Sequence, residues 1–269
     1  MEIAQMTIKE LFSMFREMKI ARGTAYLMAK GHRYSGILLS LYLVAHVYTL
    51  SGLADPDKFQ REMNILSHPL FMFLEWCLVI PLAFHAFNGG RLVLFELFQQ
   101  HDDTRLVRWS LGLGFGFSLL MGLFMILGSE SVSPLVFWLL AVVLMVLVVL
   151  VVFQQVWKTF NKTLWKLQRI TGSALLLLAL GHYLFMHLNV TAGHNAGIIL
   201  ERMQSPFILG LDFLFLTVVM FHAWYGLLTM ITDKVAALSV RRVLFGLLTL
   251  ISLVLYLAGI RILTLTTSL

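Results

Sequence analysis

Apolar residues fall in long blocks along this chain, and polar residues collect between the blocks. A helix needs roughly 20 apolar residues to cross a bilayer core. Seven stretches meet that need: residues 31–52, 69–97, 106–128, 134–157, 166–190, 207–232 and 240–265. Ahead of the first, "MTIKELFSMFREMKI" places Ile8, Leu11, Phe12, Phe15 and Met18 on one helical face, with Lys9, Glu10, Arg16 and Glu17 elsewhere. That pattern predicts a helix lying at the membrane surface or against a partner.

The blocks repeat. Span one opens with "HRYSG" (32–36) and span five with "QRITG" (168–172). The step along the chain from Arg33 to Arg169 also carries His46 onto His182. Span two holds "LAFHAFNGGRLVLFE" and span six "VMFHAWYGLLTMITD". Their histidines, His85 and His222, are separated by a step just one position longer. Two histidine matches at nearly one offset, each inside a span, make spans one to three and five to seven look like two copies of one three-helix unit. Three spans turn a chain over, so two such units in series would be inverted. Span four, "PLVFWLLAVVLMVLVVLVVF", restores the direction and makes the repeats parallel. It has no polar side chain over that stretch, which suits a topological linker facing lipid. The expected fold is therefore an all-α integral membrane protein of seven transmembrane helices. Its parts are an interfacial segment 1–30, a first repeat 31–128, a linker span 129–160 and a second repeat 161–269.

Composition agrees with this reading. The 269 residues are 59% hydrophobic and 13% charged, whereas soluble domains run at roughly half apolar and a quarter charged. The formal net charge of +6 then reads as orientation charge and not as a nucleic-acid surface. Basic residues gather at Lys9, Arg16, Lys19, Arg22, Lys30 and Arg33, at Arg105 and Arg108, at Lys158, Lys162, Lys166 and Arg169, and at Lys234, Arg241 and Arg242. The alternate loops are poorer, holding Lys58, Arg61 and Arg202. The positive-inside rule puts the N-terminus in the cytoplasm and the C-terminus outside, in the inner membrane of a prokaryote. The single cysteine, Cys77, excludes intramolecular disulfides and CxxC metal sites. The N-terminal stretch is amphipathic and does not resemble a cleavable signal.

The candidate chemistry lies in the histidines. His68 and His101 fall near span ends and His194 in an outer loop, where solvation explains them. His32 opens span one beside Arg33 and could face headgroups or a quinone. His46, His85, His182 and His222 lie within spans, where ionisable residues are functional candidates. The competing explanation is a neutral imidazole acting as hydrogen-bonding glue between helices. Four histidines in a two-fold pattern favour a cofactor. Neutral imidazole is a good iron ligand, and haem needs two axial ligands from facing helices. Zinc would want further Cys or carboxylate ligands, which are not nearby. Depth sets the pairing. His46 and His182 each lie well beyond a basic residue that opens their span, roughly 20 Å along the helix. His85 and His222 lie nearer the cytoplasm. The pairs are thus His85 with His222 for an inner haem and His46 with His182 for an outer one. His187 stands five residues beyond His182, about 140° around the helix, and is expected near the outer interface instead.

At these residues the chain resembles the cytochrome b membrane anchors of the succinate dehydrogenase/fumarate reductase family. "HRYSG" and "FHAFNGGR" look like the larger anchor subunit, and "FHAWYGLLTMITD" looks like the haem-ligand segment of the smaller one. The whole resembles a fusion of the paired anchors through span four. The resemblance implies two haem b groups in a helical bundle that encloses them. It implies a flavoprotein and an iron–sulfur subunit docked on the cytoplasmic face, possible higher oligomers, and electron exchange with a membrane quinone, with menaquinone favoured. It also implies a quinone site at Arg33, with Asp233 in a hydrogen-bonding role. The chain departs from the family pattern at Ala29, where a serine is usual, and at Lys234, where a tyrosine follows the aspartate. No residue here is expected to carry succinate chemistry, since the chain has no dinucleotide fingerprint. Two other readings stand beside this one: a cytochrome b serving another quinone-linked dehydrogenase, and a non-haem transporter with parallel repeats.

Overall fold

The computed structural model describes residues 8–98, 103–127, 133–188 and 193–265, which form helices and no strand. Among the described residues, seven helices are long and apolar enough to cross a membrane. The first span belongs to α1 (Ile8–Ser51), whose residue Gly23 adopts φ 78° and ψ 165°. A positive φ costs glycine little, so Gly23 redirects the chain between residues 8–22 and the span proper, Gly23–Ala54. Residues 8–22 are helical, as their apolar spacing predicts; residues 1–7 lie outside the described residues. The remaining spans are α3 (Pro69–Leu97), α4 (Asp103–Leu127), α5 (Pro134–Trp157), α6 (Thr163–Leu188), α8 (Pro206–Lys234) and α9 (Leu238–Leu263). The apolar blocks of the sequence locate six of them to within three residues, whereas the first span begins at Gly23, eight residues before its expected start.

Two short helices in the connecting segments, α2 (Pro56–Leu66) and α7 (Ala196–Met203), add to the expected set. Each begins at a side-chain cap: Asp55 accepts from the Lys58 N–H at 3.0 Å, and Asn195 from the Ile198 N–H at 3.1 Å. Gln60 joins the two, donating to the His194 carbonyl at 3.2 Å and accepting from the Ala196 N–H at 3.4 Å. Their apolar faces meet: Phe59 and Met63 pack with Ala196, Ile199 and Met203 over Val47 and Ile262. This layer closes one end of the molecule. The other end carries Arg33, Arg169 and Asp233 and is called the basic end below.

Helices α1, α3, α6 and α8 form a ring, each packed on the next. Helix α4 backs α3, α9 backs α8 and α1, and α5 backs α6. Lipid offers no hydrophobic drive for helix pairing, so close contact depends on small residues. Helix α4 supplies them at every fourth position. Ser110 and Ser118 are buried, Gly114 lies against the backbone of Ala83, and a Cβ on Gly122 would stand 2.7 Å from the Trp76 Nε1. Trp76 donates its N–H to the Ser118 carbonyl at 2.9 Å. Helix α5 does more than face lipid. Trp138, Met145, Val152 and Val156 form a buried stripe, while Leu140, Val143, Leu147 and Leu150 stay exposed.

Candidate functional site

The structure brings the four span histidines together in two pairs. His85 on α3 faces His222 on α8, with ring centres 6.2 Å apart and planes at 89°. His46 on α1 faces His182 on α6, again 6.2 Å apart, with planes at 80°. Each pair joins helices that are opposite, not adjacent, in the ring. One cavity of about 1470 Å³ is lined by all four histidines. It exceeds the roughly 300–1,000 Å³ of ordinary ligand pockets.

The surroundings of the basic-end pair repeat at the offset seen in the sequence. A Cβ on Gly36 would stand 3.0 Å from the His85 Cε1, and a Cβ on Gly172 would stand 3.0 Å from the His222 Cε1. Glycine at both positions lets each ring lie against a neighbouring helix. One residue earlier, the Ser35 Oγ lies 3.2 Å from the His85 Nδ1 and the Thr171 Oγ1 lies 3.3 Å from the His222 Nδ1. His85 Nδ1 also lies 3.1 Å from the His32 carbonyl, which can only accept. His85 Nδ1 therefore carries the proton, and its Nε2 keeps a lone pair. His32 stacks on His85 at 4.0 Å and 8°. At the position matching His32, Gln168 donates to the His222 carbonyl at 3.2 Å.

The opposite-end pair is held differently. Among the described residues no hydrogen bond is made to the His46 or His182 ring. Tyr42 stacks on His46 at 5.6 Å, and Phe215 lies 5.3 Å from His182. His187 is buried, in the last turn of α6. It turns toward α3, with its Nδ1 2.8 Å from the Tyr183 carbonyl and its Nε2 3.7 Å from the Glu75 carboxylate. Five residues beyond His182 on α6, it also lines the cavity. His68 caps α3 by accepting from the Leu70 N–H at 3.3 Å. His194 takes part through its carbonyl, and His101 lies outside the described residues. Arg202 on α7, absent from the expected site, is a half-buried side chain at the cavity wall whose enclosed Nε has no hydrogen-bond partner among the described residues. Burial pulls it below its ordinary value, and the Asp212 carboxylate works against that shift.

At the basic end, Arg33 donates to Asp233 at 2.6 Å, so these two expected quinone residues meet at the cavity edge. A matching pair joins them that sequence reasoning does not single out: Arg169 donates twice to Glu96, at 2.7 and 2.9 Å. Arg33 lies on α1 and Asp233 on α8, while Arg169 lies on α6 and Glu96 on α3. The signal is in the sequence, because the step from Glu96 to Asp233 equals the step from His85 to His222. Buried Arg91 completes this end, pairing with Asp103 and donating to Asn88 at 2.8 Å.

The family model described as succinate dehydrogenase/fumarate reductase transmembrane subunit matches residues 28–120 and 152–260. The succinate dehydrogenase 2 membrane subunit SdhC of Mycobacterium tuberculosis is 29% identical over 83 residues, which is 30% of this chain and 61% of that relative. The chain thus spans about three-fifths of the length of the curated relative it matches. No solved structure matches the chain.

Proposed function

The chain belongs to the succinate dehydrogenase/fumarate reductase transmembrane subunit family, and from that premise we propose that it is a di-haem cytochrome b anchor. It carries electrons between a docked iron–sulfur subunit and membrane quinone, with menaquinone favoured. As a multi-pass membrane subunit of a complex II oxidoreductase it implies soluble partner subunits. We assign those partners as a flavoprotein and an iron–sulfur subunit. They dock at the basic end, which faces the cytoplasm by the positive-inside rule. Spans one to three and five to seven are two parallel copies of one unit joined by α5. The matched contacts of Ser35 and Thr171, of Gly36 and Gly172, and of the two cross-bundle ion pairs support that reading.

The observation that carries the proposal is the spacing of the histidine pairs. Two metal–imidazole bonds of about 2 Å each, plus the reach from nitrogen to ring centre, place the ring centres roughly 6 Å apart. Both pairs stand at 6.2 Å. For His85 the proton lies on Nδ1, so the nitrogen left free is the one a metal takes. The residues present fit bis-histidine haem, with His85 and His222 holding the inner group and His46 and His182 the outer. Haem held by these residues would supply a reversible one-electron carrier. The chain itself orients the four imidazoles, walls the cavity against water with apolar helices, and spaces the two sites by depth. At the basic end, Arg33 offers a donor to a quinone carbonyl, and Asp233 holds that guanidinium in place.

A reduced-minus-oxidised optical spectrum of the purified membrane complex tests the proposal. Haem b bands are the expected result. Their absence from a complex that still holds its soluble subunits would reject it.

A further inference from the structure

We propose that Ser35 and Thr171 are positioning residues that fix the tautomer and donor strength of His85 and His222, and so lower the redox potential of the haem held at the basic end. The inference rests on the di-haem reading and deepens it.

A hydroxyl has one proton to give. Ser35 is within reach of the His32 carbonyl at 3.0 Å, and Thr171 of the Leu167 carbonyl at 2.8 Å. In this arrangement both hydroxyl protons go to these carbonyls, which can only accept. Each hydroxyl oxygen is then left to accept from the imidazole. Nδ1–H donates, and Nε2 is the ligand nitrogen in both rings. An imidazole whose N–H is drawn toward an acceptor is a more basic ligand through its other nitrogen. A more basic ligand favours ferric over ferrous iron and lowers the potential. The glycine after each hydroxyl is part of the device, because it lets the ring come close enough for the bond to form.

The opposite-end pair has aromatic neighbours and no such acceptor among the described residues. The two members of the basic-end pair are supported alike. His85 faces the Ser35 Oγ and the His32 carbonyl, and His222 faces the Thr171 Oγ1 and the matching Gln168 backbone carbonyl.

The test is a spectroelectrochemical titration of the purified complex carrying Ser35→Ala, Thr171→Val, Ser35→Thr or Thr171→Ser. Haem content is measured in each, and the ferric haems are followed by electron paramagnetic resonance. The expected result is one haem whose potential rises in Thr171→Val and in Ser35→Ala, beside a second haem that does not move. The conservative variants should restore the original value. Loss of one haem in Ser35→Ala or Thr171→Val, with retention in the matching conservative variant, also supports a required hydroxyl. Unshifted potentials in fully loaded variants would overturn the inference. So would equal shifts of both haems, or haem loss in the conservative variants as well. A wild-type complex without haem b would overturn the di-haem reading itself, which is a distinguishable failure.

Discussion

The two histidine pairs stand at the same separation but are supported in different ways. At the basic end, each ring is pinned by a hydroxyl and a glycine from the neighbouring helix, and both devices occur twice at one sequence offset. At the opposite end, His46 and His182 are held by aromatic packing, under a lid formed by α2 and α7. The pairs also span different diagonals of the helical ring, α3 to α8 and α1 to α6. The lesson is that the gap between two imidazoles says where a cofactor fits, while the support around it says how tightly its ligands are fixed. The basic-end site is the more rigidly built.

The largest effect should follow removal of a basic-end histidine. On the di-haem proposal, His222→Ala or His85→Ala should eliminate one haem and weaken assembly, since a haem held there would tie α3 to α8. Haem content and subunit retention on purification measure this. Full retention of both haems would break the comparison outright.

A smaller loss is expected at the other end. His46→Ala or His182→Ala should remove the second haem while the soluble subunits stay attached and dye reduction continues. The two variants should look alike, and the double variant should be no worse than either single one, because each ligand is useless without the other. His187→Ala serves as the control and should leave both haem spectra unchanged. If His187→Ala removes a haem and His182→Ala does not, the opposite-end pair must be reassigned.

Arg33 sharpens the contrast between the ends. A lost charge-assisted hydrogen bond costs about 1.5–3 kcal/mol, or roughly ten- to a hundredfold in rate. Arg33→Ala should lower quinone-linked turnover by that factor while dye reduction by the soluble subunits persists. Equal loss of both activities, or of neither, would remove Arg33 from the quinone site.

Gly36→Ala probes the ring support with the mildest change. A methyl group placed 3.0 Å from the His85 ring makes an overpacked contact worth about 1–3 kcal/mol. Lower thermal stability of the haem-loaded protein is expected. Gly112→Ala, where a Cβ meets nothing within 4 Å, should be nearly neutral.

Much of this arrangement is legible in the sequence, for definite physical reasons. Transmembrane helices announce themselves by length and apolarity, so the seven spans stand out. Depth and offset together pair His85 with His222 and His46 with His182, because helices of equal rise carry matched residues to matched levels. Helices α2 and α7 escape such a reading because each is too short to register as a hydropathy block. Their signals are local: the Asp55 and Asn195 caps and the proline at position 56. The Arg169–Glu96 pair escapes it because a basic residue at a span end is fully explained as orientation charge, and only tertiary packing shows its partner. Ser35 and Thr171 lie within the repeated segments that open spans one and five. Their contact with imidazoles of other spans depends on how α1 meets α3 and α6 meets α8, which residue spacing does not specify. The buried place of His187 has the same cause, since Glu75 reaches it from another helix.

The central claim is that each pair of histidines holds one haem. A pyridine haemochrome assay on the purified complex, set against the molar amount of this chain, tests it most directly. Two haem b groups per chain are predicted. A value of one would leave only the basic-end pair as a haem site, and a value of zero would contradict the account entirely.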